Sequence, residues 1–202
     1  MIPGRCELAK LTGISIQNIS APGIKAAISP PPCVFHSMGY FSVLSTHGPI
    51  AHINTRGKRM KAQYAVELFR NGFLCSQAVF ATFCDSYGLD RNSALKIASG
   101  FGSGMRCAEI CGAVSGAVLV IGLKYGHTDA KDKATKRTCN AKVEEFVRAF
   151  VERNGRILCR DILGCDVTTQ EGRQKAIDEK LFTTVCADMV VSAAAILEEL
   201  GY

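Results

Sequence analysis

The residues of this chain with most chemistry to offer are its cysteines, ten in 202 residues. Eight of them, at 75, 84, 107, 111, 139, 159, 165 and 186, follow residue 59. Cys111 stands where a glycine-rich turn, Gly100-Phe101-Gly102-Ser103-Gly104, runs into an apolar stretch over residues 113–123. The glycines at 100, 102 and 104 admit a tight turn with positive φ. A cysteine in the first turn of the following helix would face unpaired backbone N–H groups and the positive end of the helix dipole. Both favour thiolate, so the spacing predicts a thiol pKa below the ordinary value of about 8.5. The plainer alternative is a small buried side chain chosen for packing.

Three further cysteines share features of that setting. Cys75 follows Gly72 and opens a helical segment, and Cys159 follows Gly155 and opens a short turn. Cys186 lies within the last helical stretch on a stripe with Met189, Val190 and Ala193. Cys84, late in its helix, and Cys139, among charges, look incidental. Cys107 and Cys111, four apart, would share a face if the helix began early, and Cys159 and Cys165 flank a turn. Either pair is a candidate for a metal or a disulfide. There is no Cys-x-x-Cys, no Cys-x-x-Cys-His and no paired zinc-finger spacing, so thioredoxin, c-type haem and zinc-ribbon chemistry are not signalled. With no secretory signal in view, the expected compartment is reducing and cytoplasmic. There cysteines are more often catalytic, redox-sensing or metal-binding than structural.

The elements that must position these sulfurs are helical. All six prolines precede residue 60, and the proline-free remainder reads as helices throughout. Residues 61–71 carry Ala65, Leu68 and Phe69 at helical spacing, with Gly72 as breaker. Residues 75–87 place Val79, Phe80 and Phe83 on one stripe and end at Gly88. Asp90 is placed to cap a short helix over 91–98. The central apolar helix runs to Tyr125. Asp129 is expected to cap a long helix ending at Gly155, with Val143, Phe146, Val147, Phe150 and Val151 on its apolar face. Residues 159–163 form a short helical turn closed by Gly164, residues 166–175 read as a polar loop, and 176–200 as a final long helix. The fold class is therefore all-α, a bundle of about four long and two short helices. Its central helix, apolar nearly all round, belongs in the middle.

Residues 1–59 are different in kind. They hold three of the four histidines, and six Lys/Arg against one Asp/Glu. They lack sustained periodicity and are expected to form an irregular or disordered extension. One reading makes Met60 the true start and this segment an upstream artefact. The other makes it a basic targeting or partner-binding arm. The remainder is nearly balanced in charge, so the net +6 does not indicate a nucleic-acid surface. The longest apolar run, 13 residues from Cys111 to Leu123, falls short of the roughly 20 a membrane span needs.

Residues 61–202 resemble the redox-active family named for its C_GCAxxG_C_C cysteine pattern. The residues that carry the resemblance begin with Asn71-Gly72-Phe73-Leu74-Cys75-Ser76-Gln77-Ala78-Val79 and Ala98-Ser99-Gly100-Phe101-Gly102-Ser103-Gly104-Met105. Cys111-Gly112-Ala113-Val114-Ser115-Gly116, Gly122-Leu123-Lys124-Tyr125-Gly126, Cys159-Arg160-Asp161-Ile162-Leu163-Gly164 and Cys186 follow. The resemblance implies a redox role for Cys75, Cys111, Cys159 and Cys186, and selenocysteine-bearing members would suit that chemistry. It implies no substrate. Residues 1–59 have no counterpart in the pattern, and Cys84, Cys107, Cys139 and Cys165 lie outside it.

Three functions are compatible with these observations. The first is thiol–disulfide exchange or electron transfer by a thiol-dependent oxidoreductase. Cys111 would attack, Cys75, Cys159 or Cys186 would resolve, and a redox partner would complete the cycle. Four cysteines allow three fully paired connectivities. The second is a four-cysteine zinc or iron–sulfur site. The third is a non-catalytic helical module that binds a partner. His127 is alone in the helical part and reads as a solvated cap, which removes Ser/His/Asp catalysis. Glu109 is expected to complement the helix N-terminus. The three glycines lack the strand and the Gly-Lys-Ser/Thr ending of a phosphate loop.

Overall fold

A computed structural model describes residues 60–202, so the expected irregular extension over 1–59 lies outside the described residues. Within them the chain forms eight helices and no strand. These are α1 (Lys61–Arg70), α2 (Cys75–Phe83), α3 (Arg91–Ala98), α4 (Gly112–Tyr125), α5 (Lys133–Asn154), α6 (Cys159–Leu163), α7 (Gln170–Asp178) and α8 (Val185–Glu199).

Most boundaries follow from local signals. Asp90 Oδ1 accepts a hydrogen bond from Ser93 N (3.0 Å) and caps α3. Gly88, Gly155 and Gly164 adopt the left-handed conformation, with φ of 76°, 76° and 64°, that closes the preceding turns. Three boundaries differ from expectation. The cap of α5 is Asp132, which accepts from Thr135 N at 2.9 Å, while Asp129 only closes a turn on Lys131 N. Residues 166–175 are not all loop either. Thr169 Oγ1 accepts from Gly172 N (3.0 Å) and starts α7. The expected last helix is then broken over 179–184, where Lys180 has φ of 56°.

α4 occupies the middle, packed against α2, α5 and α8. It comes very close to α2 because two glycines face that helix. A Cβ on Gly116 would lie 2.6 Å from the Ser76 carbonyl oxygen, and one on Gly112 would lie 2.5 Å from Cys75 Sγ. Around this pair the main core buries Phe83, Phe146, Phe150, Ile121, Ile196 and Leu197. Each contributes about 1.5–3 kcal/mol by leaving water. The ends of the bundle are tied together. Glu198 accepts from the amides of Lys61 (3.0 Å) and Ala62 (3.2 Å) at the open start of α1, and Lys124 Nζ donates to Gly201 O at 2.8 Å.

A second, smaller core lies beside the first. Ala108, Cys159, Leu163, Val167 and Ala176 are buried there, with Leu181, Phe182, Val185 and Cys186 packed against them. Cys111 belongs to the main core and Cys75 packs against it. The two cores thus each bring two of the four family-pattern cysteines. Among the described residues no helix is long and apolar enough to cross a membrane.

Candidate functional site

Each of the four cysteines starts a helix. Cys75 is the first residue of α2, Cys111 immediately precedes α4, Cys159 is the first residue of α6, and Cys186 is the second of α8. Cys186 therefore does not lie deep in a long helix, as the sequence suggested, because the break at 179–184 creates a new helix start beside it.

The positions are enforced by local hydrogen bonds. The start of α2 is pinned to α3 by Ser76 Oγ donating to Ala98 O (2.8 Å) and Gln77 Nε2 donating to Leu95 O (2.9 Å). Gln77 Oε1 also accepts from Leu74 N at 2.9 Å, satisfying an amide at the helix entrance. Cys111 and Cys159 are joined by a short antiparallel clasp about Ile110 and Leu158. In it Cys111 N donates to Ile157 O (2.9 Å) and Cys159 N donates to Glu109 O (2.6 Å). Outside the clasp Arg160 and Glu109 form an ion pair of 2.6 Å. That is the part Glu109 plays, rather than complementing the start of α4. Cys186 N donates to Leu181 O at 3.0 Å, which folds Phe182 and Thr183 over the same region.

The glycine-rich turn behaves unlike its sequence. Of Gly100, Gly102 and Gly104 only Gly104 takes positive φ. Gly102 is needed for close approach, since its Cβ would lie 2.7 Å from Leu74 Cδ1. The left-handed backbone instead runs through Ser103 (54°), Gly104 (59°), Met105 (54°) and Arg106 (62°), and recurs at Ala108 (55°). Such a conformation costs about 1–2 kcal/mol for each non-glycine residue. It also means that the helix does not begin early, and exposed Cys107 does not share a helical face with Cys111.

All four cysteines line one cavity of about 410 Å³, with Phe69, Phe73, Leu74 and Phe182 among its apolar walls. Cys75 and Cys186 are half-buried, whereas Cys111 and Cys159 are only 6% and 7% exposed. Burial decides their ionisation. It pushes the Cys111 thiol up to about 12, with the neighbouring Cys75 adding to the rise. The amides of Ala113 and Val114 pull the other way and lose. The depressed pKa expected from the helix start is therefore overturned. The dipole effect is real, but desolvation of a thiolate in an apolar cavity is larger. Burial and the nearby Cys75 likewise raise Cys159 to about 11. Cys186 and Cys75 are also raised by burial, although the amides of Ser103, Ser76 and Gly112 oppose the rise at Cys75.

The four thiols influence one another's ionisation: Cys75 raises Cys111 and Cys159, and Cys75, Cys111 and Cys159 all raise Cys186. Cys165 is a neighbour of Cys159 and Cys186 but does not line the cavity. Cys84 is sealed in the main core with its thiol toward Ala81 O. His127 is exposed and away from the cavity. Among the described residues no three His, Cys, Asp or Glu side chains are grouped closely enough to hold a metal ion. As arranged, Cys75, Cys111, Cys159 and Cys186 share a cavity without the tight tetrahedron of a zinc site. The arginines at 70, 106 and 173 also line the cavity. Sequence reasoning missed them, because only the left-handed turn and α7 bring two of them there.

Residues 73–200 match the model of the family described as "Putative redox-active protein (C_GCAxxG_C_C)". No curated protein and no solved structure matches the chain. With the matched span taking in all four cavity cysteines and most of the chain, the protein is a member of this C_GCAxxG_C_C redox-active family.

Proposed function

We propose that the chain is a thiol-dependent oxidoreductase that cycles its cavity cysteines between dithiol and disulfide. The observation that carries this reading is the meeting of four helix-starting thiols at one cavity, with Cys75 Sγ against the backbone that follows Cys111. Cys75 is the attacking sulfur and Cys111 the resolving one, in place of the attacking role that sequence alone gave Cys111. Cys75 is the more solvent-exposed of the two, so an incoming disulfide reaches it first. Cys159 and Cys186, from the smaller core, form a second pair that can relay the oxidation.

The chemistry balances with an incoming disulfide as oxidant. The Cys75 thiolate attacks one sulfur, the foreign S–S bond breaks, and one half leaves as a thiolate that takes up a proton. The Cys111 thiolate then attacks Cys75 Sγ and expels the second half, which is protonated in turn. Two cysteines lose two electrons, and the foreign disulfide becomes two thiols. The setting we assign is reducing and cytoplasmic, with a redox partner and no nucleic-acid surface.

The test is thiol counting and peptide mapping on protein purified without oxygen. Mild oxidation should remove two titratable thiols, link the peptides of Cys75 and Cys111, and reverse with reductant. Cys75→Ser and Cys111→Ser should each abolish that linkage. An unchanged thiol count would overturn the proposal. A second reading, an iron–sulfur or zinc site, is favoured by the four cysteines lining one cavity, but it needs the sulfurs to draw closer together than they stand. Stoichiometric metal in the purified protein, lost when the four cysteines become serine, would put that reading in its place.

A further inference from the structure

The cysteine cavity continues into a second, polar recess of about 310 Å³ lined by Ser103, Arg106, Val167, Thr168 and Arg173. Three of these residues, Ser103, Arg106 and Arg173, line both spaces. The lining of the two spaces holds three arginines and no Asp, Glu or His. Neither Arg106 nor Arg173 takes part in an ion pair among the described residues. Glu109, three residues from Arg106, is paired with Arg160, and Asp166 Oδ1 accepts from Thr168 N and Oγ1 at 3.0 and 2.6 Å. Arg106 reaches this position from the left-handed backbone, with φ of 62°. Local strain of this kind persists where the surroundings fix it, and it concentrates at ligand-binding sites.

We infer that the substrate is a small disulfide carrying an anionic group, carboxylate or phosphate, held between Arg106 and Arg173 while its sulfurs face Cys75. The inference rests on the exchange reading above and names its substrate class. Paired guanidiniums present planar forks suited to either anion. A cationic recess opening from an apolar cavity concentrates such a substrate, because low-dielectric walls focus the field. The apolar walls accept the carbon skeleton, and the anion fixes which end points inward. The electron balance is that given above, with the anionic disulfide as oxidant and its two thiols as products.

The reduced full chain is mixed with four disulfides of one skeleton size. They are the dicarboxylate dithiodipropionate, the bis-phosphate ester of hydroxyethyl disulfide, neutral hydroxyethyl disulfide, and dicationic cystamine. Each rate is divided by that probe's rate with a free small thiol. The anionic probes should oxidise the cavity roughly tenfold or more faster than the neutral one, and cystamine slowest. The faster of the two anionic probes identifies the anion. In the double variant Arg106→Gln/Arg173→Gln the ratio of anionic to neutral rate should fall to about one, and Arg106→Lys/Arg173→Lys should retain part of the advantage. Equal rates for anionic and neutral probes overturn the inference but leave exchange standing. An equal fall for every probe in the Gln variant also overturns it, because the arginines would then act on the cysteines. Failure of all four disulfides to oxidise the cavity removes the exchange reading itself.

Discussion

The main core and the smaller core differ in how they are built, and the cysteine cavity lies where they meet. The main core interlocks α1, α2, α4, α5 and α8 around large side chains such as Phe83, Phe146 and Phe150. The smaller core is gathered from α6, α7, the start of α8 and Ala108, with no aromatic residue among its fully buried members. Fewer buried apolar contacts mean a lower local free energy of opening. A cysteine pair from each side therefore places the sulfurs at a seam with one firm wall and one soft wall. Cys84 makes the complementary point. It is fully buried in the firm region, but its surroundings offer only a carbonyl and the Asp85 carboxylate, and the cavity lies elsewhere.

The sharpest test of this contrast is thiol labelling against pH. At pH 8, thiols raised by two to three units have a thiolate fraction lower by roughly a hundredfold or more. Alkylation of Cys111 and Cys159 should trail that of a free small thiol by about that factor, and should rise about tenfold per pH unit toward pH 10. A raised thiol pKa also costs folded-state stability above the thiol's ordinary range. The unfolded chain releases its proton first, so stability falls as pH rises from that range toward about 11 and 12 for these two residues. Labelling of both at the free thiol's rate would show that the seam stands open and the contrast is false.

A smaller effect separates two glycines of one helix. A Cβ at residue 112 would meet Cys75 Sγ at 2.5 Å and Phe101 O at 2.9 Å, whereas one at residue 122 meets nothing within 4 Å. Gly112→Ala should cost about 1–3 kcal/mol by overpacking, and Gly122→Ala should stabilise by about 0.5–1 kcal/mol. Urea titrations measure both. A Gly112→Ala protein as stable as the parent would mean that the α2–α4 contact yields readily. The smallest effect belongs to the soft wall. Thr169→Ala removes the cap of α7 and should cost about 1 kcal/mol, visible in the same titrations. No shift at all on Thr169→Ala would mean that packing, not the cap, holds α7.

What could be seen in the sequence was whatever has a local cause. Gly88, Asp90, Gly155 and Gly164 mark their boundaries because caps and left-handed stops act within a turn of the chain. The central place of α4 follows from its continuous apolar run. α7 escaped because its only buried residues are Gly172 and Ala176, which leave no apolar stripe. Thr169 with Glu171 behind it was the available signal. The break at 179–184 has no glycine or proline to announce it, and the left-handed run at 103–106 contains a single glycine. The ionisation of Cys111 was misjudged for a related reason. The helix start is written locally, whereas burial is the sum of Cys75, Cys159 and walls from distant segments.

The clasp about Ile110 and Leu158 has one more consequence. Cys111 and Cys159 each contribute a backbone amide to it, at 2.9 and 2.6 Å from their acceptors. Each of these sulfurs therefore shares its residue with a proton that can trade with deuterated solvent only when the two segments part. The pair of amides serves as an isotopic clock set into the protein. It times the parting of the segments from the backbone alone, while both thiols remain free of any reagent.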